Sequence, residues 1–496
     1  MKKKWITVII LSLVAVIFCA CSAGGSGNFA PSDSGVGFPT NEEGEYDENY
    51  RYDAVEERGF QLQSYEPSVN FSLDRNTATY SYVRRQINDG LRISPDSVRI
   101  EEMINYFDYD SYPYPTDGEA VAMTARLADC PWNKSHRLLS VGLRTEKISV
   151  GDVPNNLVFL IDVSGSMSGN DRIGLVKETF RLLVEHLREE DVISVVTYAS
   201  NVNTLFDGYT LTDKTRIMTA IDHLQARGST AGGDGLKRAY EVARKHFIEG
   251  GNNRVIIASD GDFNVGVNSK GGVSELISEN ANKKQSVYLS VFGYGMNNTR
   301  DDLLETLACD GNGNYAYIDS LLEAEKAVVT DIDGTLNVVM KNAKASVAFT
   351  DSVEKYRLIG YDTKRISIEE WKNEKTDTGE IGSGLTVTAL FEIQLKDGVA
   401  DGTEIAVAAV RYQSPQSEEN RELSVSAIQG ETFSEDAERD LAFIFCVAEF
   451  GLILRESDYR GTASCASVLE RLGELPLWRD ALKNEFYKLV AQYEKR

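Results

Sequence analysis

Histidine and cysteine are scarce in this chain, which limits the kinds of site it can build. The 496 residues include four histidines and six cysteines. Cys19 and Cys21 lie in the N-terminal apolar region. The other four form no Cys-x-x-Cys pair and adjoin no histidine cluster; they are Cys130, Cys309, Cys446 and Cys465. This spacing argues against a structural zinc site. We expect four unpaired, buried thiols, with a Cys446–Cys465 disulfide as the alternative.

The usual motifs of several enzyme classes are missing as well. The sequence contains no Gly-x-Ser-x-Gly turn and no Walker or Gly-rich nucleotide motif. Three of the four histidines fall in predicted helices, and none adjoins a motif; the four are His136, His186, His223 and His246. A Ser-His-Asp triad is therefore not indicated. We predict that the chain is not an enzyme.

An excess of positive charge is absent too. Lysine and arginine together number 52 against 76 acidic residues, so the formal net charge is -24. A protein that binds nucleic acid generally needs cations to neutralise phosphates. The composition argues against a nucleic-acid partner.

The N-terminus is the one long apolar run. Lys2, Lys3 and Lys4 precede residues 5–20, and the text FCAC then leads into Ser-Ala-Gly-Gly. A basic start followed by an apolar stretch too short to span a bilayer is typical of a secretory signal. The ending resembles a bacterial lipoprotein box. It predicts a signal peptide over 1–20 and a lipid-anchored, exported chain that begins at Cys21, outside the cytoplasm. An ordinary cleaved signal and an N-terminal membrane anchor are the alternatives.

The rest of the chain divides by composition and periodicity. Residues 21–64 lack apolar periodicity and are predicted to be a flexible tether. Residues 65–155 alternate helical and strand patterns. Residues 338–432 have the alternation of a β-rich segment, and 433–496 are helical.

Between residues 156 and 337, strand and helix patterns alternate. This order predicts a doubly wound α/β domain with a mainly parallel sheet. In such sheets, ligands bind at the carboxyl ends of the strands. Three loops are expected to meet there: after Ile161, before Gly232 and after Ser259.

The first of these loops carries oxygen ligands. The run LVFLID ends in Asp162, and Ser164 and Ser166 follow at two-residue steps. One carboxylate and two hydroxyls are ligands for a hard cation such as Mg2+, with Mn2+ as a possible substitute. Alone, the pattern also fits a polar turn after a strand.

The loop DVSGS resembles the metal-ion-dependent adhesion site (MIDAS) of von Willebrand factor type A (VWA) domains, whose signature is Asp-x-Ser-x-Ser. Thr230 in GSTAGGDGL and Asp260 in VIIASDGD match the two remaining elements. The resemblance implies that Asp162, Ser164, Ser166, Thr230 and Asp260 form a metal site. It implies direct coordination by the hydroxyls, with the aspartates acting largely through water. Neutral inner ligands would leave the metal electrophilic, so that an Asp or Glu of a protein partner could complete its shell.

The resemblance extends over most of residues 65–480. RIEEMINYF and VSGSM are similar to a bacterial family of VWA proteins with a dedicated N-terminal segment and C-terminal domain, often exported lipoproteins. In that family the VWA domain is typically inserted in a β-rich scaffold. Residues 119–150 and 338–430 are therefore expected to form one β-sandwich around the insertion.

Two weaker patterns lie elsewhere. DGNGNY from Asp310 partly resembles a calcium loop, but Tyr315 stands where a glycine is needed and later acidic ligands are missing. We interpret it as a Gly/Asn turn before a strand. Asp262 and Asn264 either shape the metal rim or are solvated loop residues.

Three functions fit these observations. We favour a cell-envelope lipoprotein that binds a protein partner through a Mg2+-dependent site. A structural or assembly protein whose metal is satisfied internally is the second. A metal-dependent hydrolase is the third, and Asp262 is its only nearby candidate for a general base.

Overall fold

The computed structural model describes residues 56–73, 76–149, 153–229, 232–261, 270–281, 285–295, 301–373, 376, 378–415 and 419–496. The predicted signal peptide, Cys21 and most of the tether lie outside these residues. So do three residues of the predicted site and its rim: Thr230, Asp262 and Asn264. None of the helices in the described ranges has both the length and the apolar character that crossing a bilayer requires.

The N-terminal part of the chain consists of strands and helices that pack against the C-terminal half. These elements are β1 (Gln61–Leu62), β2 (Ser68–Ser72), α1 (Ala78–Asn88), α2 (Ile100–Asn105), β3 (Val121–Asp129) and β4 (Arg137–Thr145).

The α/β section follows. Its elements are β5 (Asn155–Asp162), α3 (Leu175–His186), β6 (Val192–Tyr198), β7 (Val202–Thr210), α4 (Lys214–Asp222), α5 (Gly232–Lys245), β8 (Asn252–Ser259), α6 (Lys270–Ala281), β9 (Tyr288–Tyr294), α7 (Asp301–Asp310), β10 (Tyr315–Ile318), α8 (Leu321–Glu325) and α9 (Ile332–Leu336). The strand order is β10-β9-β8-β5-β6-β7, and all pairs are parallel except β6 with β7.

Helices cover both faces of this sheet. Phe180 of α3 and Ile217 of α4 lie in the core on one face, and Leu236 of α5 and Leu304 of α7 lie in the core on the other. Every residue of the central strand β5 is buried, as expected for a strand between two helical layers. The predicted doubly wound domain is confirmed.

A β-rich scaffold surrounds this domain. Its later elements are β11 (Val338–Phe349), β12 (Val353–Ile359), α10 (Ile368–Lys372), β13 (Gly379–Gly382), β14 (Thr386–Leu395), β15 (Glu404–Gln413) and β16 (Asn420–Ile428). One sheet has the order β1-β12-β14-β4-β3. The other has the order β13-β11-β15-β16, with β2 also paired to β11.

The first scaffold sheet joins strands from both sides of the α/β section. Strand β4 precedes that section and β14 follows it, yet the two pair antiparallel with Leu390 opposite Ser140. Residues of both sheets share one core, in which Phe391 and Val347 are fully buried. The α/β section is therefore inserted in the scaffold, as the resemblance implies.

The C-terminal helices pack on the N-terminal helical segment. They are α11 (Glu435–Leu454), α12 (Cys465–Gly473) and α13 (Ala481–Glu494). The helical structure is interrupted around Pro476, between α12 and α13. Phe107, Phe443 and Phe486 meet in their common core. Gly451 allows α11 to approach α2, since a Cβ there would lie 3.0 Å from Ile100.

Two expectations are corrected. The tether was predicted to reach residue 64, but the Arg357 guanidinium donates to Glu57 at 3.0 Å, and Gln61–Leu62 pairs with β12. The partly buried ion pair and the strand pairing hold this segment on the scaffold. Four buried thiols were expected, and none of the four described cysteines forms a disulfide, but only Cys130 and Cys446 are buried. Cys465 is half-buried, and Cys309, in the last turn of α7, is exposed.

Candidate metal centre

The site is built on the carboxyl end of β5. Asp162 is the last residue of this strand and is completely buried. Its Oδ1 accepts a 2.8 Å hydrogen bond from the backbone N–H of Ser164. The hydroxyl oxygens of Ser164 and Ser166 lie 3.0 Å apart. The loop thus holds two hydroxyls beside one buried carboxylate.

The neighbouring strand fixes this loop. In the sheet register, Asp162 lies opposite Tyr198 of β6, and the backbone N–H of Val163 donates to the Tyr198 carbonyl at 2.9 Å. Beyond the loop, a five-residue π-helical turn over Asn170–Gly174 comes before α3, where a helix was predicted from Asp171. The Arg172 guanidinium donates to the Ser166 carbonyl at 3.0 Å.

The loop before α5 lies directly against it. Arg227 N–H donates to the Val163 carbonyl at 2.7 Å, and Gly165 N–H donates to the Gly228 carbonyl at 2.9 Å. The Ser229 N–H donates to the Ser200 hydroxyl at 3.0 Å. Thr230 follows in sequence and lies outside the described residues. The structure therefore brings the segment just before Thr230 to the metal loop.

The third loop follows β8. Ile161 pairs with Ala258, so that Ser259 and Asp260 lie beside Asp162 at the carboxyl ends of the two strands. The Ser259 hydroxyl donates to Asp162 Oδ2 at 3.3 Å, and Asp260 is 2 % exposed. Gly261 has a φ of +84°, which favours glycine where the chain leaves the strand. Four of the five predicted residues, Asp162, Ser164, Ser166 and Asp260, are thus described, and they lie at one edge of one sheet.

Electrostatics show what this arrangement favours. Burial, and after it the negative charge of Asp260, raise the pKa of Asp162 to about 6, although hydrogen bonds from Ser164 oppose the rise. Burial and the charge of Asp162 likewise raise the pKa of Tyr198 well above its usual value. Two buried carboxylates at close range favour a bound cation, which would neutralise both.

The donor set fits a divalent metal of the hard type. Carboxylate and hydroxyl oxygens suit Mg2+ or Mn2+. Within the described residues, no group of three or more His, Cys, Asp or Glu side chains is placed to hold a metal. This site has two carboxylates, and its other donors are hydroxyls.

Sequence reasoning missed two neighbours of Asp162, namely Tyr198 and Ser259. Both end strands next to β5, but nothing in their local sequence distinguishes them from ordinary strand residues. The pairing register could have identified them, since it places each beside Asp162.

Three family models match the chain. The model "von Willebrand factor" matches residues 46–140, "von Willebrand factor type A domain" matches 156–331, and "Uncharacterized protein YfbK, C-terminal" matches 334–495. Uncharacterized protein YfbK of Escherichia coli strain K12 is 37% identical over 474 residues, which cover 89% of this chain and 80% of that protein.

The chain belongs to this bacterial family of VWA proteins. A VWA domain suggests a role in protein interaction or adhesion, and such domains commonly bind a divalent metal at their MIDAS. Proteins of this kind are generally not enzymes.

More distant similarities are confined to parts of the chain or to the fold. Inter-alpha-trypsin inhibitor heavy chain H3 of Rattus norvegicus is 29% identical over 169 residues, 32% of this chain and 19% of that protein. A von Willebrand factor type A structure from Catenulispora acidiphila has a TM-score of 0.41 at 13% identity, and covers 75% of this chain and 89% of its own. The mussel byssus proximal thread matrix protein 1, solved with a zinc occupied MIDAS motif, has a TM-score of 0.29 at 23% identity, over 36% of this chain and 44% of its own.

Proposed function

We propose that this chain binds a protein partner through a Mg2+-dependent site at the carboxyl end of β5, without catalysis. Mn2+ can replace Mg2+ in this proposal, since both prefer oxygen ligands. The observation that carries it is the burial of Asp162 beside Asp260, next to the paired hydroxyls of Ser164 and Ser166. A metal bound here would neutralise the two carboxylates, so that no lysine or arginine side chain is needed beside them.

The proposed ligand set indicates which chemical group of the partner would bind the metal. Ser164, Ser166 and Thr230 would hold the metal through neutral oxygens, while Asp162 and Asp260 supply charge around it. Such a metal keeps open coordination positions and attracts a further anionic oxygen. An Asp or Glu side chain of the partner is the ligand that we propose for this position.

We also propose where the site operates. A lipid on Cys21 would anchor the chain to the membrane of the cell envelope, with the metal site outside the cytoplasm. The lipid would be its only contact with the membrane. The net charge of -24 argues against a nucleic-acid partner.

Co-purification from membranes tests this proposal. The full chain should retain a partner in Mg2+ buffer and release it in EDTA, and Asp162→Ala should abolish retention. Asp222→Asn is the matched control, because Asp222 forms an exposed ion pair with Arg181 on the surface of the same domain. Retention that is unchanged by EDTA and by Asp162→Ala would refute the proposal.

A structural metal is the second candidate, and the deep burial of the site favours it. Asp162, Ser164 and Asp260 are each at most 2 % exposed, so a bound metal would remove a repulsion inside the domain. In this case EDTA lowers the melting temperature while partner retention persists. The same experiment therefore separates the two functions.

A further inference from the structure

A second candidate site lies at the opposite edge of the α/β sheet. A cavity of about 340 Å3 opens between α7, the turn before β10 and the scaffold strand β13. The metal loop of β5 lies at the carboxyl ends of the parallel strands, whereas this cavity lies where β10 begins. The two sites are therefore separate.

The lining is rich in oxygen atoms from two parts of the fold. The turn contributes Asp310, Asn312 and Asn314 at alternate positions, and the scaffold contributes Thr378 and Glu380. These are the residues of the DGNGNY pattern together with an acidic residue that is distant in sequence. The carboxylate that the pattern lacks as a calcium loop is thus supplied by β13.

Two buried oxygens in this lining lack a hydrogen-bond partner among the residues that the structure describes. They are Oδ2 of Asp310 and Oγ1 of Thr378. A buried polar atom without a partner costs free energy, and a bound cation would remove that cost for an oxygen atom.

The end of α7 adds negative potential. Asp310 is the last residue of this helix, where the helix dipole is negative and a carboxylate is unfavourable. The buried Arg254 donates to the Ser290 hydroxyl at 2.7 Å. Burial lowers the pKa of Arg254 to about 10, and the charges of Tyr288 and then Glu380 oppose this shift. Arg254 offsets part of the charge of Glu380, while Asp310 remains at the helix end.

We propose that this cavity binds Ca2+ through Asp310, Asn312, Asn314 and Glu380, with the Thr378 hydroxyl as a further ligand. Ca2+ takes six to eight oxygen ligands in flexible geometry and accepts carboxylates, amide oxygens and water together. Waters fill the rest of the cavity. The ion joins the inserted α/β domain to the scaffold, because its ligands come from both.

A Ca2+ titration of the full chain tests this site apart from the first. The protein carries Asp162→Ala and is stripped with chelator, so that the β5 site contributes nothing. Calorimetry should show one bound Ca2+, and the melting temperature should rise by a few degrees at saturation. Asp310→Asn and Glu380→Gln, each in this background, should abolish both signals.

Two further variants complete the test. Asn314→Ala removes only the side-chain ligand, since the backbone carbonyl that accepts from Val291 N–H remains, and it should weaken Ca2+ binding at least tenfold. Asp401→Asn, at an exposed turn, should leave binding unchanged. Absence of Ca2+ uptake by the Asp162→Ala chain, or uptake that persists in Asp310→Asn and Glu380→Gln, would overturn the proposal.

Discussion

The backbone N–H of Gly165 donates a 2.9 Å hydrogen bond to the carbonyl oxygen of Gly228. This bond joins the loop that carries Ser164 and Ser166 to the segment that leads into Thr230. Two of the three parts of the predicted metal site are thus held together by a backbone contact.

Gly228→Ala should damage this junction. Gly228 has a φ of +85°, and a Cβ there would lie 2.6 Å from the Ser200 hydroxyl oxygen. We expect a loss of about 1–3 kcal/mol in unfolding free energy and a roughly tenfold loss of Mg2+ affinity, measured by denaturant unfolding and calorimetry.

Gly250→Ala is the matched control for that variant. Gly250 has a φ of +71°, but a Cβ there would meet nothing within 4 Å. It should lose stability from the backbone conformation and keep its full Mg2+ affinity. Equal losses of Mg2+ affinity in both variants would contradict the role given to the Gly165–Gly228 contact.

The raised pKa of Asp162 predicts how the metal-free chain responds to pH. Its folded-state pKa is about 6, above the ordinary value of 3.8. Between these pH values the folded state binds more protons than the unfolded state. The contribution of Asp162 to the unfolding free energy is therefore greatest below about pH 4, and it is lost as the pH rises through about 6. The loss is about 3 kcal/mol by pH 7.

Denaturant unfolding of chelator-treated protein between pH 4.5 and 7.5 measures this effect. Asp162→Asn should flatten the profile in that range, because the amide does not titrate. Excess Mg2+ should flatten it in the wild type, since the metal stabilises the ionised carboxylate. An unchanged slope in Asp162→Asn would show that another group is responsible.

The ion pairs of Arg84 link α1 to the α/β section and to the C-terminal helices, and their contribution to stability can be tested. This buried residue of α1 forms ion pairs with Asp319 and Glu323 after β10, and with Glu485 of α13 at 3.0 Å. Arg84→Met should cost about 3–5 kcal/mol of unfolding free energy, because it leaves buried carboxylates without their cation.

Arg181→Met serves as the comparison in the same denaturant titrations. Arg181 pairs with Glu178 and Asp222, but these side chains are about half exposed. Its loss should cost less than about 1 kcal/mol. Similar losses of unfolding free energy in the two variants would mean that the ion pairs of Arg84 do not hold α1, the α/β section and α13 together.

Local patterns predicted the α/β section well, for a physical reason. A strand buried on both faces is mostly apolar, and the run LVFLI before Asp162 has this character. The position of Asp162 after that strand then determined the edge at which the site lies. The loops after Ile161 and Ser259 meet there, as predicted.

Features that depend on distant pairing could not be predicted in this way. Strand β1 has only two residues, too few for a sequence pattern, and it pairs with β12, which lies almost 300 positions away in sequence. The carboxylate partners of Arg84 are more than 200 positions away in sequence. Local sequence contains no record of such contacts. Glu380 was missed for the same reason.

The most direct test of the central claim is a Mg2+ titration of the chelator-treated full chain by calorimetry, with Asp162→Ala in parallel. The wild type should bind one Mg2+ at the β5 site, and Asp162→Ala should bind none there. Equal Mg2+ uptake by both proteins, or no uptake by the wild type, would contradict a metal centre built on Asp162.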